Sequence, residues 1–225
     1  KPAWLTPAVN ELANNVMTRI NRAAALNGMA LSSLCLLSSK THTMSEAELK
    51  QSMGDFVALF NTVPFSDDAT IPDLSVDDLY AETMKLGRFD IKEDDYGRLI
   101  SPQPKSAIYL TYYRNNILHL FALPGLIMAC VFAHKGTSKN AILQLIAALY
   151  PLLQRELFLH LSQDEALSHT DALVTALLDL GLLRQKGDDL LPPGAQQKQF
   201  HSAWLLSRCM QETLQPYAAV LTILD

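Results

Sequence analysis

Apolar residues recur every three or four positions through most of the chain, which is the helical period. Leu12, Val16, Ile20 and Ala23/Ala24 fall on one face of a helix predicted over Asn10–Leu26, behind Thr6-Pro7 and ended by Asn27-Gly28. Met29–Leu37 predicts a short, uniformly apolar helix. Ser45-Glu46-Ala47-Glu48 has the spacing of a capping box, in which hydroxyl and carboxylate each take a free amide at the helix start. Leu49, Met53, Phe56, Val57 and Phe60 then line one face. Pro64–Asp73 reads as a loop. Ser75 is expected to cap a helix reaching Leu86 and ended by Gly87. Apolar residues at Phe89 and Ile91, then at Leu99 and Ile100, flank the turn Glu93–Gly97 and predict a β-hairpin closed by Pro102 and Pro104.

The same order recurs. Lys105–Phe121 predicts a long helix, Leu126–Ala133 a short apolar one, and Ser138–Phe158 another. Ser168 is expected to cap a helix ending at Leu180-Gly181. Leu182-Leu183 and Leu190-Leu191 then flank the turn Lys186–Asp189 and predict a second hairpin, closed by Pro192-Pro193. Cys130 lies 95 residues after Cys35, and Lys135 lies 95 after Lys40. A last long helix is predicted over Gln196–Leu214. The predicted fold is mainly α with small β-hairpins. It comprises two tandem winged-helix-like units, each a helix triplet plus hairpin, joined by long helices. Its divisions are 1–104, 105–195 and a C-terminal helix within 196–225.

Winged-helix units often read DNA with their third helix, and charge excludes that here. The chain has 225 residues and a net charge of −5. Between Asp67 and Asp95 there are ten acidic residues against three basic ones. The third helix of the first unit carries Asp77, Asp78 and Glu82 against Lys85, and that of the second has Asp171 and Asp179 with no cation. Such faces repel phosphates, so they are read as protein-contact surfaces and no nucleic-acid partner is expected. Cys35, Cys130 and Cys209 are widely spaced in apolar stretches, so buried thiols are expected, with neither disulfide nor metal. Ile117–Ala133 has no formal charge over 17 residues. That is the lower edge of a membrane span, but Pro124 interrupts it, and two buried helical pieces are expected instead.

Chemistry-bearing motifs are few. Phosphate-binding glycine loops and nucleophile elbows are absent from the sequence, and no cofactor is expected. His160 with Asp164 and Glu165 has the look of an ordinary helix end, as His42 and His134 do. The exception is Tyr112-Tyr113-Arg114-Asn115-Asn116-Ile117-Leu118-His119. Tyr112, Asn115, Asn116 and His119 fall at i, i+3, i+4 and i+7, one polar stripe on an otherwise apolar helix beside Arg114. Two accounts stand: an internal hydrogen-bonded network, or a surface that meets another domain or a polar ligand.

YYRNNILHLFALPGLI (Tyr112–Ile127) strongly resembles the C-terminal region of the bacterial membrane-bound glycerol-3-phosphate acyltransferases. TPAVNELANNVMTRINRAAALN (Thr6–Asn27) resembles the segment that follows their acyltransferase domain, and the likeness extends along essentially the whole chain. The resemblance implies a parent enzyme that moves a fatty acyl group from acyl-CoA or acyl carrier protein to the 1-position of sn-glycerol 3-phosphate. The product is lysophosphatidate, the first intermediate of phospholipid synthesis. It implies work at the cytoplasmic face of the inner membrane, with the membrane surface and the acyltransferase domain of the same polypeptide as partners. The family's catalytic signature is H-x-x-x-x-D, a histidine base on the glycerol hydroxyl and an aspartate that orients it. The residues five positions after the six histidines are Ala47, Pro124, Lys139, Glu165, Val174 and Leu206. None is Asp, so no catalytic residue carries over, and the chain is expected to be a non-catalytic C-terminal portion. The start at Lys1 rather than Met agrees with that expectation. The alternative is a free-standing helical protein-interaction module.

Overall fold

The computed structural model describes residues 2–95, 97–134 and 136–224, the last seven by their backbone alone. Tyr96 of the first predicted turn and Lys135 of the repeat register lie outside the described residues. The chain is mainly helical with two small antiparallel sheets.

Helix α1 (Leu5–Arg22) leads into the first repeat: α2 (Gly28–Ser38), β1 (Met44–Ser45), α3 (Glu46–Thr62), α4 (Val76–Lys85), β2 (Phe89–Asp94) and β3 (Gly97–Pro102). The linking segment follows as α5 (Ala107–Leu118) and a 3-10 turn at His119–Phe121. The second repeat is α6 (Ala122–Ala133), β4 (Thr137–Ser138), α7 (Lys139–Glu156), α8 (Gln163–Asp179), β5 (Arg184–Lys186) and β6 (Asp189–Leu191), after which come α9 (Phe200–Arg208) and α10 (Gln211–Leu224). Both sheets have the same order, the short first strand pairing with the last strand of the hairpin: β1-β3-β2 and β4-β6-β5. Met44 pairs with Ile100 in one sheet and Thr137 with Leu190 in the other. The internal repeat is thus a repeat of connectivity.

Local signals explain most boundaries. Ser45 and Glu48 form the predicted capping box. Ser75 and Ser138 cap α4 and α7, each accepting from the amide three residues on. Pro151 inside α7 has no N–H to give to Ala147, and the Gln163 side chain donates to that carbonyl instead at 3.0 Å. All three cysteines are free and buried.

Several expectations are corrected. The first helix runs Leu5–Arg22, because Pro7 is tolerated in a first turn and because the chain past Ala23 turns extended, Leu26 N–H donating to Thr70 O. Asn27 does not end that helix. It starts the next one, its Oδ1 accepting from Ala30 N–H at 2.9 Å. The apolar run is buried in two pieces as expected, but it breaks at His119–Phe121; Pro124 sits harmlessly in the first turn of α6. Ala107–Ala133 is long and apolar enough to cross a membrane, yet 78% of its apolar window is buried inside the protein. Ser168 is not a cap: α8 starts six residues earlier, because Ser162 and Glu165 make a full capping box there. Leu182 and Leu183 precede the second hairpin as buried anchors and do not form its first strand. The single final helix is two, α9 and α10, parted at Cys209-Met210.

One buried apolar cluster runs through both repeats. Helix α5 packs along α2, and α9 packs along α6 and also meets α3. At that last contact Ser202 Oγ donates to Asp55 Oδ2 at 2.5 Å in buried surroundings, so polar groups also join the two halves.

Candidate functional site

Helix α5 carries the predicted stripe, and packing divides it. Leu110, Ile117 and Leu118 are buried against the core, which turns Tyr112, Asn115 and Asn116 outward. Tyr112 stands edge-on to Tyr113, ring centroids 5.7 Å apart, at the exposed end. Arg114 points inward and is only 7% exposed. Its NH1 pairs with Glu212 of α10 at 2.7 Å, and its Nε and NH2 donate to Asn115 Oδ1 at 3.2 and 3.1 Å. A buried guanidinium left unpaired would be costly, so the three contacts explain how an apolar helix tolerates it.

His119 is 4% exposed and lies on the 3-10 turn. Its Nε2–H donates to the carbonyl of Asn21 at 3.0 Å, tying the end of α1 to the joint between the repeats. Burial lowers its pKa to about 4, partly opposed by that hydrogen bond, so the ring is neutral at pH 7. Phe65 stands edge-on to His119 and to His160, at 5.1 and 4.6 Å between centroids. Burial likewise lowers the pKa of His160. Glu165, five residues on, is taken up by the cap of α8. His42 and His134 each place Nδ1 on the carbonyl of the helix before them, Leu36 O and Cys130 O.

The structure thus brings Asn115, Asn116 and His119 together on the wall of one cleft of about 470 Å³. Opposite lie Met17, Ile20 and Asn21 of α1, with Glu156, Leu157 and Phe158 at the end of α7 as the floor. Asn21 Nδ2 donates across it to Leu157 O at 2.7 Å. Arg114 and Asn115 also line an adjoining cleft of about 400 Å³ with Glu212 and Tyr217, whose hydroxyl donates to Glu156 at 2.7 Å. Tyr112 lines neither. Packing thus divides the stripe: Arg114, His119 and the Oδ1 of Asn115 take part in internal hydrogen bonds, while Asn115 and Asn116 are exposed along the cleft.

Sequence reasoning missed Glu212, Asn21, Phe65 and Glu156 as members of this region. An arginine on an apolar helix demands a carboxylate partner, but nothing local points to one 98 residues away. The lining of the cleft mixes the amides of Asn21, Asn27, Asn115 and Asn116 with apolar groups of Met17, Ile20, Leu157 and Phe158.

Residues 1–225 match the family described as the Glycerol-3-phosphate acyltransferase C-terminal region. Proteins named glycerol-3-phosphate acyltransferase from Alteromonas mediterranea and Pseudoalteromonas atlantica are 84% and 54% identical to the whole chain. One from Aeromonas hydrophila is 41% identical over 99% of it. The chain spans 28% of the length of the first two relatives and 27% of the third. A free-standing module is not what these lengths describe. The chain belongs to the glycerol-3-phosphate acyltransferase C-terminal region family.

Proposed function

We propose that this chain is the non-catalytic C-terminal portion of a glycerol-3-phosphate 1-O-acyltransferase, acting as a scaffold for the acyltransferase domain of the same polypeptide. The full enzyme joins a fatty acyl group from acyl-CoA or acyl carrier protein to sn-glycerol 3-phosphate at the cytoplasmic face of the bacterial inner membrane. The observation that carries this reading is the end-to-end match to the family's C-terminal region by a chain spanning little more than a quarter of its relatives. The absence of H-x-x-x-x-D from the sequence supports it. On this reading the segments 1–104 and 105–195 are two winged-helix-like units that have kept the connectivity and lost the basic recognition face, and 196–225 closes the second. Asn115 and Asn116, with Tyr112 at the exposed end of the stripe, form a polar contact surface that Arg114 and His119 hold in position.

The purified chain, given glycerol 3-phosphate and labelled acyl-CoA, is expected to form no lysophosphatidate, whereas the full-length protein does. Turnover by the chain alone overturns the proposal. The role of the stripe is read from Arg114→Ala and Asn116→Ala. Arg114→Ala lowers the melting temperature of the isolated chain, because a buried ion pair and its packing are lost, at a cost of about 1–3 kcal/mol. Asn116→Ala leaves that melting unchanged and lowers acyl transfer only in the full-length protein. Unchanged transfer in the Asn116 variant removes the contact role.

A further inference from the structure

One packing rule occurs twice in this fold. The helix entering the second repeat, α5, lies along α2, the first helix of the first repeat. The helix leaving the second repeat, α9, lies along α6, the first helix of the second. Each linking helix thus covers the repeat that precedes it in the chain. Helix α1 occupies the corresponding place before the first repeat, and the unit it would cover is not among these residues.

Its surface is correspondingly inverted. None of its residues is buried. Leu12 is 64%, Ile20 58%, Val9 54% and Val16 46% exposed, and the four share one face at helical spacing. The body holds α1 at its C-terminal end, through polar groups. Asn21 bonds to Leu157 and His119, the Ser66 hydroxyl donates to Arg22 O at 2.6 Å, and Arg22 pairs with Asp68 at 3.0 Å. A helix this amphipathic, gripped by its polar end and with its apolar stripe facing outward, is a surface waiting for a partner.

We propose that the Val9–Leu12–Val16–Ile20 face of α1 docks on the portion of the same polypeptide that precedes residue 1 in the full-length protein. This rests on the reading above, that the chain is the C-terminal part of a longer acyltransferase. The occupant is argued from the twofold packing rule, from relatives of whose length this chain spans 28%, and from the match of this chain to a C-terminal region. A lipid surface fits less well. Interfacial helices carry many cations on their polar face, whereas α1 sets Arg19 and Arg22 against Glu11 and fills the face with Asn10, Asn14 and Asn15.

The test uses the full-length protein with a specific protease site inserted before Pro2. After cleavage the two fragments of the parent are expected to co-elute, whereas those carrying Leu12→Asp with Val16→Asp separate. A loss of association of roughly 30-fold or more is expected, as for interface hot spots. Because both side chains are exposed in this chain, its own fold tolerates the change. Ile108→Asp, at an exposed apolar position on α5, serves as the control that leaves the fragments together. Radical footprinting of the uncut protein gives a second reading: Met17 and Leu12 are protected there and labelled in the isolated chain. Fragments that stay together in the double variant, or equal labelling, overturn the proposal. So does a variant whose only loss is co-sedimentation with anionic vesicles, or whose only loss is self-association. Cohesion is read without turnover. If the full-length protein proves inactive as an acyltransferase while its fragments still depend on α1, the functional reading fails and the docking surface stands.

Discussion

The two repeats share a topology and little else. The positions they hold in common are those where the backbone leaves few choices. Ser45 and Ser138 end the short first strands and cap the second helices, 93 residues apart. Gly87 and Gly181 follow the third helices, both in the left-handed region at φ of 63° and 72°, where a Cβ is strained. Between such points the repeats diverge. The third helix has 10 residues in the first and 17 in the second, and the hairpin ladder pairs six residues in the first and three in the second. Helix α8 buries Ala166, Thr170, Leu173, Val174, Ala176 and Leu177, whereas α4 buries only Leu79, Tyr80 and Thr83 and keeps its acids outside. The comparison teaches that caps and left-handed glycines preserve connectivity while element length and surface charge are free to change.

The largest effect should come from the one glycine in each repeat that lets helices touch. A Cβ at Gly28 would lie 2.5 Å from Leu79 O and 2.3 Å from Thr83 Oγ1, so α4 must move. A Cβ at Gly125 would lie 2.6 Å from Cys209 Sγ and 3.2 Å from Leu206 O, against α9. Gly28→Val is expected to cost about 3 kcal/mol or more in chemical denaturation, and Gly125→Val somewhat less, because a cysteine side chain yields more easily than a carbonyl. Equal tolerance of valine at both sites would show that neither approach is tight.

Next in size is the response of the joint between the repeats to acid. Burial holds the His119 pKa at about 4 in the folded chain, against about 6.5 when unfolded. Between those values the unfolded chain binds a proton that the folded chain refuses, so stability falls as pH drops through that window. The fall at its lower end is on the order of 3 kcal/mol, and above about pH 8 the group contributes almost no slope. His160 and His169 shift in the same direction, both chiefly by burial. His119→Gln should therefore flatten the profile of melting temperature against pH without levelling it. A variant with the parent's slope would move the acid sensitivity away from the joint.

How much of this was legible in the sequence follows the same division between local and distant causes. Helix period, the Ser45 box, the Ser75 cap, the first hairpin and the turn of the second were readable because their causes lie within four residues. The fold class followed from them. The split of the last helix at Cys209-Met210 was not readable, because it depends on what α9 packs against. Nor was the outward apolar face of α1: the period puts Leu12, Val16 and Ile20 on one face, and only the tertiary arrangement turns that face to solvent. In the stripe on α5, spacing identified a polar face but could not divide it. Arg114 is drawn in by Glu212 and His119 by Asn21 O, partners 98 residues away on either side.

The smallest expected effect concerns the start of the third helix in the second repeat, where the two repeats invite a false equivalence. Ser168 with Asp171 matches the spacing of Ser75 with Asp78, and by sequence alone both are caps. Ser75 does cap α4, its hydroxyl accepting from Asp78 N–H at 3.1 Å. At the second site the chain offers a stronger signal first: Ser162 accepts from Glu165 N–H at 3.3 Å, and Glu165 returns to Ser162 N–H at 2.7 Å. Two free amides satisfied reciprocally outweigh one, so the helix starts at Gln163 and Ser168 ends up exposed in its second turn. Ser162→Ala should therefore cost about 1 kcal/mol, and Ser75→Ala about the same. Ser168→Ala should be neutral or stabilising by up to roughly 0.5 kcal/mol, since alanine is the better residue inside a helix. Urea melts of the three variants decide it. If Ser168→Ala is as costly as Ser75→Ala, the helix starts where the repeat register puts it, and its first turn and a half is not part of the stable structure.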